Sequence, residues 1–179
     1  VNDDDVRKLI AILRLAVPYT GMILSTRESP EMRRECLRLG ISQISAGSRV
    51  SPGGYREGAE REEDESQFTV GDCRGLDEVM LDLCGLGYLP SFCTACYRSG
   101  RTGHDFMSLA KPGEISRFCL PNALLTFKEY LLDYGSPETR AAGATVIMAH
   151  LEQLEAGPIR QQTEARLLEL EQGKRDLFY

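Results

Sequence analysis

The sequence predicts an α/β segment followed by a helical domain that carries a thiol-rich centre. Three observations lead there. Residues 1–50 alternate helix-like and strand-like stretches with short connections, the pattern of βα units in a parallel sheet. Beyond Cys119 the apolar residues fall at helical spacing between Pro and Gly boundary signals. Between these parts stand Cys93, Cys96 and Cys119 in the pattern C-x2-C-x22-C. The boundaries that follow are residues 1–55 for the α/β portion, 56–92 for an acidic connection and linking helix, and 93–179 for the helical domain.

In chain order, VNDDDVRKLIAILRLAV sets acidic residues ahead of Val6, Leu9, Ile10, Leu13 and Leu15, close to a helical stripe, and Pro18 ends it. An apolar strand is expected from Thr20 to Ser25. SPEMRRECLRLG restarts a helix, with Ser29 as N-cap, Pro30 in the first position and Gly40 at the C-cap. ISQISAGS is a second short strand. In parallel sheets ligands gather at the C-terminal strand ends. That places Ser25, Thr26 and Arg27 at one end, and Ser45, Ser48 and Arg49 at the next. A guanidinium with hydroxyls beside it suits a carboxylate. From spacing alone, an anion clasp and an ordinary solvated turn are equally well served.

SPGGYREGAEREEDESQF, with Gly53, Gly54 and a run of carboxylates from Glu57 to Glu65, has the composition of a solvated loop. A short extended piece, FTVGDC, leads to a helix from about Gly75 to Cys84, whose face of Leu76, Val79, Met80, Leu83 and Cys84 makes Cys84 a core residue. Cys73, before that helix, has nothing to pair with in sequence. Gly87 and Pro90 stop the helix ahead of Cys93. After Cys119, Pro121 marks a helix start, with Leu124, Leu125, Phe127, Leu131 and Leu132 apolar and Gly135 as cap. Ser136–Pro137 opens the next helix, with Ala142, Val146 and Ala149 inward, and PIRQQTEARLLELEQG ends a third at Gly173. His150 reads as a packing or surface residue, and the aromatic tail KRDLFY is expected to dock.

Thiolate is the donor that iron–sulfur clusters and zinc select. Three cysteines without an evident fourth partner suit a [4Fe–4S] cluster with one open iron. Zinc is second, with His104 as a fourth ligand in the uncommon order C-x2-C-x7-H-x14-C. Inert core thiols come third, because the surroundings of Cys93 and Cys96 are polar, Gly-rich and basic. A zinc-stabilised helical binding module is the corresponding alternative function. Arg98 and Arg101 stand beside the thiols, where they can offset cluster charge or orient anions.

The 179 residues suit about one domain, and 42% hydrophobic content can fill a core. A net charge of −6 offers no general basic surface for nucleic acid. No apolar run is long enough to span a bilayer, and VNDDDVRK does not resemble a signal peptide, so no membrane partner is expected. Six unevenly spaced cysteines fit a reducing, cytoplasmic setting better than a disulfide scaffold. The opening inside an amphipathic pattern, without a Met, reads as the C-terminal part of a longer protein.

CTACYRSGRTGHDFMSLAKPGEISRFCLPNALLTFKEYLLDYG resembles the C-terminal cluster domain of the HydG family, radical-SAM tyrosine lyases that mature [FeFe]-hydrogenase. STRESP and SAGSRVSPGGY are similar to strings of the tyrosine-cleaving radical-SAM lyases, the thiazole-pathway 2-iminoacetate synthase among them; that relative is the enzyme alternative, but its family lacks the CTAC hairpin. The resemblance implies that residues 1–55 are the final units of a radical-SAM (β/α) barrel, with Arg27, Ser45 and Ser48 toward the tyrosine substrate. It implies that Cys93, Cys96 and Cys119 hold an auxiliary [4Fe–4S] cluster with an additional labile iron, where CO and cyanide from tyrosine are assembled. S-adenosylmethionine and its own [4Fe–4S] cluster would be held upstream, because the C-x3-C-x2-C loop for that cluster is not in these residues. The fragment alone is therefore expected to be inactive, contributing no catalytic residue. Hydrogenase maturation proteins are the implied partners.

Overall fold

The computed structural model describes residues 2–50, 54–55 and 70–179. The run of carboxylates from Glu57 to Glu65, and Phe68 and Thr69 of the extended piece before Cys73, lie outside the described residues. The chain divides into two units, 1–76 and 77–179. All of the linking helix after its first residue, Leu76, falls in the second unit.

In the first unit, α1 (Asp3–Ala16) is capped by Asn2, whose side chain accepts the Asp5 amide, with Asp3, Asp4 and Asp5 at the positive end of the helix dipole. The helix α2 (Pro30–Arg38) starts as the sequence predicts, with the Ser29 hydroxyl accepting the Met32 amide and Pro30 in the first turn. Gly40 follows at φ 111. Between and after these helices lie β1 (Ile23–Leu24) and β2 (Gln43–Ile44), paired in parallel with Ile23 opposite Gln43 and Leu24 opposite Ile44. The strands are much shorter than expected. Only the residues whose amides and carbonyls find a partner across this two-stranded ladder hold strand geometry.

Ile10, Met32, Cys36 and Ile41 form the unit's core, with Val6, Met22, Leu24 and Ile44 packed around them. Of the predicted stripe on α1, only Ile10 is buried, while Leu9, Leu13 and Leu15 are exposed. Arg14 ties the elements together, donating to the carbonyls of Gly40, Pro18 and Thr20.

The second unit is all helix: α3 (Leu76–Gly85), α4 (Ala95–Arg98), α5 (Gly103–Ala110), α6 (Ser116–Asp133), α7 (Pro137–Leu151) and α8 (Pro158–Glu171). Its centre is α6, which packs on both α7 and α8 and buries Leu124, Leu125, Phe127 and Leu131. Asp77 at the start of α3 accepts the Tyr130 hydroxyl (3.2 Å), the Ser136 amide (3.2 Å) and the Thr139 hydroxyl (2.9 Å), fastening three helices at one point. Burial raises the Asp77 pKa, but these hydrogen bonds outweigh it and leave the carboxyl below its ordinary value. The same carboxylate and burial push Tyr130 up to about 12.

Three expectations are corrected here. The helix α6 begins at Ser116 rather than at Pro121, because tight turns at Ser116, Arg117 and Phe118 nucleate it earlier. On α7 the inward residues are Thr139, Gly143, Val146, Ile147 and Leu151, while Ala149 is exposed and Ala142 half-buried. At Cys93–Cys96, where a hairpin was expected, the short helix α4 begins, and α5 follows in a stretch for which no helix was expected.

Candidate functional site

Two sets of residues bear the predicted chemistry, one in each unit. At the strand ends of the first unit, the Ser45 amide continues the ladder onto the Leu24 carbonyl, and Ser45 and Ser48 are half-buried. Arg27 is exposed, with its amide donating to the Ser25 hydroxyl. Thr26 is buried at 4% exposure, and Arg49 is exposed.

Sequence reasoning missed the network beneath these residues. Arg33 on α2 is 2% exposed and donates to the Asp72 carboxylate and to the Ser45 carbonyl. Asp72, 1% exposed, also accepts from the Arg74 amide (3.1 Å), Nε (2.9 Å) and Nη2 (2.8 Å). Burial opposes ionisation of Asp72. Hydrogen bonds from Arg74 and the charges of Arg33 and Arg74 win, and its pKa falls to about 2.

The segment around Asp72 is stitched across both strand ends. The Gly71 and Asp72 amides donate to the Thr26 carbonyl, and the Gly47 amide donates to the Arg74 carbonyl. A Cβ on Gly71 would lie 2.3 Å from the Arg27 carbonyl oxygen, so only glycine allows this approach. An invisible partner 39 residues away explains the miss, although a charged residue on the buried face of α2 is a sequence signal in itself.

In the second unit, Cys93 and Cys96 flank the start of α4, half-buried, and Cys119 lies in the first turn of α6. None of the three is in a disulfide. The Ala95 amide donates to Cys93 Sγ at 3.4 Å. Cys119 keeps solvent contact as a residue. Protein packed around its sulfur nonetheless pushes its pKa up, Cys96 and Cys93 add to that rise, and Arg101 opposes it. The fold thus brings the distant cysteine into electrostatic reach of the pair.

Arg101 bridges the set. Its amide donates to the Cys96 carbonyl (2.8 Å), and its guanidinium lies 4.7 Å from the ring centroid of Phe118, the residue before Cys119. Its Nε is buried with no hydrogen-bond partner. The orphaned N–H and three free thiols fit an anionic, sulfur-rich group. Among the described residues, no three His, Cys, Asp or Glu side chains converge to hold a single metal ion. His104, weighed as a zinc ligand, has its side chain 96% exposed beside Asp105.

The remaining thiols have surroundings of their own. Cys36 and Cys84 are buried, and burial pushes both up, Cys84 to about 11. Cys73 is exposed, with its sulfur 3.7 Å from the Val70 carbonyl. His150 meets the Gly87 carbonyl at 3.0 Å, a packing role. No helix among the described residues is long and apolar enough to cross a membrane.

Residues 1–89 match the family described as Biotin and Thiamin Synthesis associated domain. The chain is 33% identical over 90 residues to 2-iminoacetate synthase of Salmonella typhimurium, covering 50% of this chain and 23% of that protein. It is 37% identical over 81 residues to the same enzyme of Escherichia coli, covering 45% of this chain and 21% of that one. Among solved structures, a crystal structure of HydG, a maturase of the [FeFe]-hydrogenase, aligns with 100% of this chain and 38% of its own at 53% identity, with a TM-score of 0.91. The FeFe-hydrogenase maturase HydG from Carboxydothermus hydrogenoformans aligns with 93% of this chain and 34% of its own at 37% identity, with a TM-score of 0.66. The chain therefore spans about a fifth of the curated relatives and over a third of the solved maturases.

Proposed function

The chain belongs to the HydG family, aligning with the C-terminal part of its solved members, and we propose that it completes a radical-SAM tyrosine lyase of [FeFe]-hydrogenase maturation. In this reading Cys93, Cys96 and Cys119 hold an auxiliary [4Fe–4S] cluster. What supports it is the orphaned, buried Nε of Arg101, a residue whose amide donates to the Cys96 carbonyl and whose guanidinium lies over the ring of Phe118, next to Cys119. A single zinc ion needs its donors on one shell at about 2.3 Å. A cuboidal cluster instead takes each thiolate on a different iron, and the C-x2-C-x22-C set supplies three. When bound, the cluster supplies an open iron, with a further labile iron, on which CO and cyanide are collected.

The residues of this chain do the rest by binding and orientation. The Ala95 amide stabilises the Cys93 thiolate. At the strand ends, the Arg27 guanidinium and the Ser45 and Ser48 hydroxyls bind the tyrosine carboxylate, over the Arg33–Asp72 pair that fixes the Ser45 main chain. The two βα units are the closing turns of a (β/α) barrel, supported by their parallel pairing and by the exposed apolar residues Leu9, Ile12 and Ile23. S-adenosylmethionine and its cluster belong to the upstream part of the enzyme, hydrogenase maturation proteins receive the product, and the cytoplasm is the site of action. The likeness to HydG runs through the cysteine segment, whereas the curated synthases share about half the chain, which favours the maturase over the thiazole-pathway enzyme.

Anaerobic reconstitution with iron and sulfide tests the cluster. A brown chromophore that needs all three thiols is the expected result. A colourless protein with one bound zinc would establish the helical binding module instead.

A further inference from the structure

The segment after α8, residues 174–179, has no helix or strand of its own, yet it is anchored almost throughout. Arg175 forks onto Asp133 of α6 at 2.6 and 2.8 Å. The Asp176 amide donates to Glu129 (2.7 Å), and its two carboxylate oxygens hold the Arg98 guanidinium. The Phe178 ring centroid lies 4.1 Å from the same guanidinium, and its carbonyl accepts from Arg166. Tyr179 donates its amide to Asn122 (2.8 Å), shares a hydrogen bond between its hydroxyl and Thr163 (2.8 Å), and stacks under Arg166 at 4.1 Å. So fixed, the Tyr179 carbonyl accepts from Arg101 Nη2 at 2.9 Å.

The tail therefore grips both arginines of the thiol loop. Arg101 is bound at its amide to Cys96, at one terminal nitrogen to Tyr179 and over the ring of Phe118. Every anchor leaves Nε unused, and that N–H is buried. A buried donor without an acceptor carries a desolvation penalty that an acceptor arriving at the site removes. We propose that Arg101 donates Nε–H to a sulfur of the auxiliary cluster or its thiolates, and that the tail, through Tyr179, is what positions it. The inference rests on the cluster reading above. A cationic N–H donor at a cluster sulfur favours the reduced, more negative state and so raises the reduction potential.

The test is a redox titration of the full-length, reconstituted enzyme followed by electron paramagnetic resonance. Arg101→Gln should move the auxiliary cluster's midpoint to a more negative potential. Tyr179→Ala, which leaves Arg101 in place but removes the ring and hydroxyl anchoring the tail, should move it the same way by less. Tyr179→Phe should stay near wild type, and the S-adenosylmethionine cluster should be unmoved in every variant. If Arg101→Gln does not fold or hold a cluster, Tyr179→Ala decides: a negative shift supports the proposal, and an unchanged midpoint and spectrum overturn it. Wild-type enzyme that forms no auxiliary cluster would remove the cluster reading itself, an outcome distinct from an Arg101 without effect.

Discussion

At the scale of the residue, the Arg33–Asp72 pair shows how one buried charge fixes the shape of a strand end. Asp72→Asn would strip a buried guanidinium of its ionised partner, at a cost of roughly 3–5 kcal/mol. Denaturant melts of the full-length protein should show that loss, and a midpoint near wild type would mean Arg33 finds another acceptor. The pH dependence follows from the depressed pKa. Asp72 is held at about 2 against an ordinary 3.8, so its stabilisation is complete above the ordinary value and disappears as pH falls toward 2. The gap in melting temperature between wild type and Asp72→Asn should narrow through that acidic window. Arg27 presents a different case, because it is exposed at a strand end, where the proposed function gives it the tyrosine carboxylate. Arg27→Ala should lose about 1.5–3 kcal/mol of a charge-assisted bond, weakening tyrosine binding by roughly one to two powers of ten. Unchanged affinity would place the carboxylate elsewhere.

At the scale of the element, α6 determines how the helical unit packs. A Cβ on Gly143 of α7 would lie 2.5 and 2.8 Å from the two Leu131 methyls and 3.1 Å from the Phe127 ring. Gly143→Ala gains about 1 kcal/mol of helix propensity and loses about 1–3 kcal/mol to overpacking. Gly143→Val should be clearly destabilising, because its branched side chain cannot swing away. Ala144→Val, on the exposed neighbouring position, should change stability by only a few tenths of a kcal/mol. Equal melts for the two valine variants would show that α7 slides freely on α6. Pro121 matters at the same scale. Lacking an N–H, it leaves the Arg117 carbonyl without its usual helical partner just beyond Cys119. The sequence marks that proline as a start, and the helix instead absorbs it.

At the scale of the whole molecule, the strand-end residues and the thiols lie in different units, and under the proposed function their chemistries should be separable. Replacing Cys93 and Cys96 by Ser in the full-length enzyme exchanges soft thiolates for hydroxyls that resist ionisation. The auxiliary cluster should be lost or severely weakened, while tyrosine cleavage at the barrel continues to release p-cresol. Delivery of iron with CO and cyanide, and with it hydrogenase activation, should stop. If p-cresol falls together with the others, the cysteines support the barrel. If none falls, they are not ligands.

What the sequence by itself determined is local. Ser29–Pro30 and Ser136–Pro137 state their helix starts within four residues, because a cap is a short-range hydrogen bond. Cys84 in the core follows from its place on a periodic apolar face. The half-buried Phe106, Met107, Leu109 and Ala110 carry a comparable helical signal for α5, which the sequence reading passed over. What only the tertiary structure decided depends on groups far apart in the chain. Asp72 is scaffolding because α2 brings Arg33 to it, and Asp77 because α6 ends and α7 begins beside it. Phe118, next to Cys119, meets the segment of Cys96 through the Arg101 guanidinium, and Arg101 is held because the tail returns to it. Spacing names the candidate donor atoms; long-range packing decides what surrounds each of them, since no local rule encodes a partner dozens of residues away.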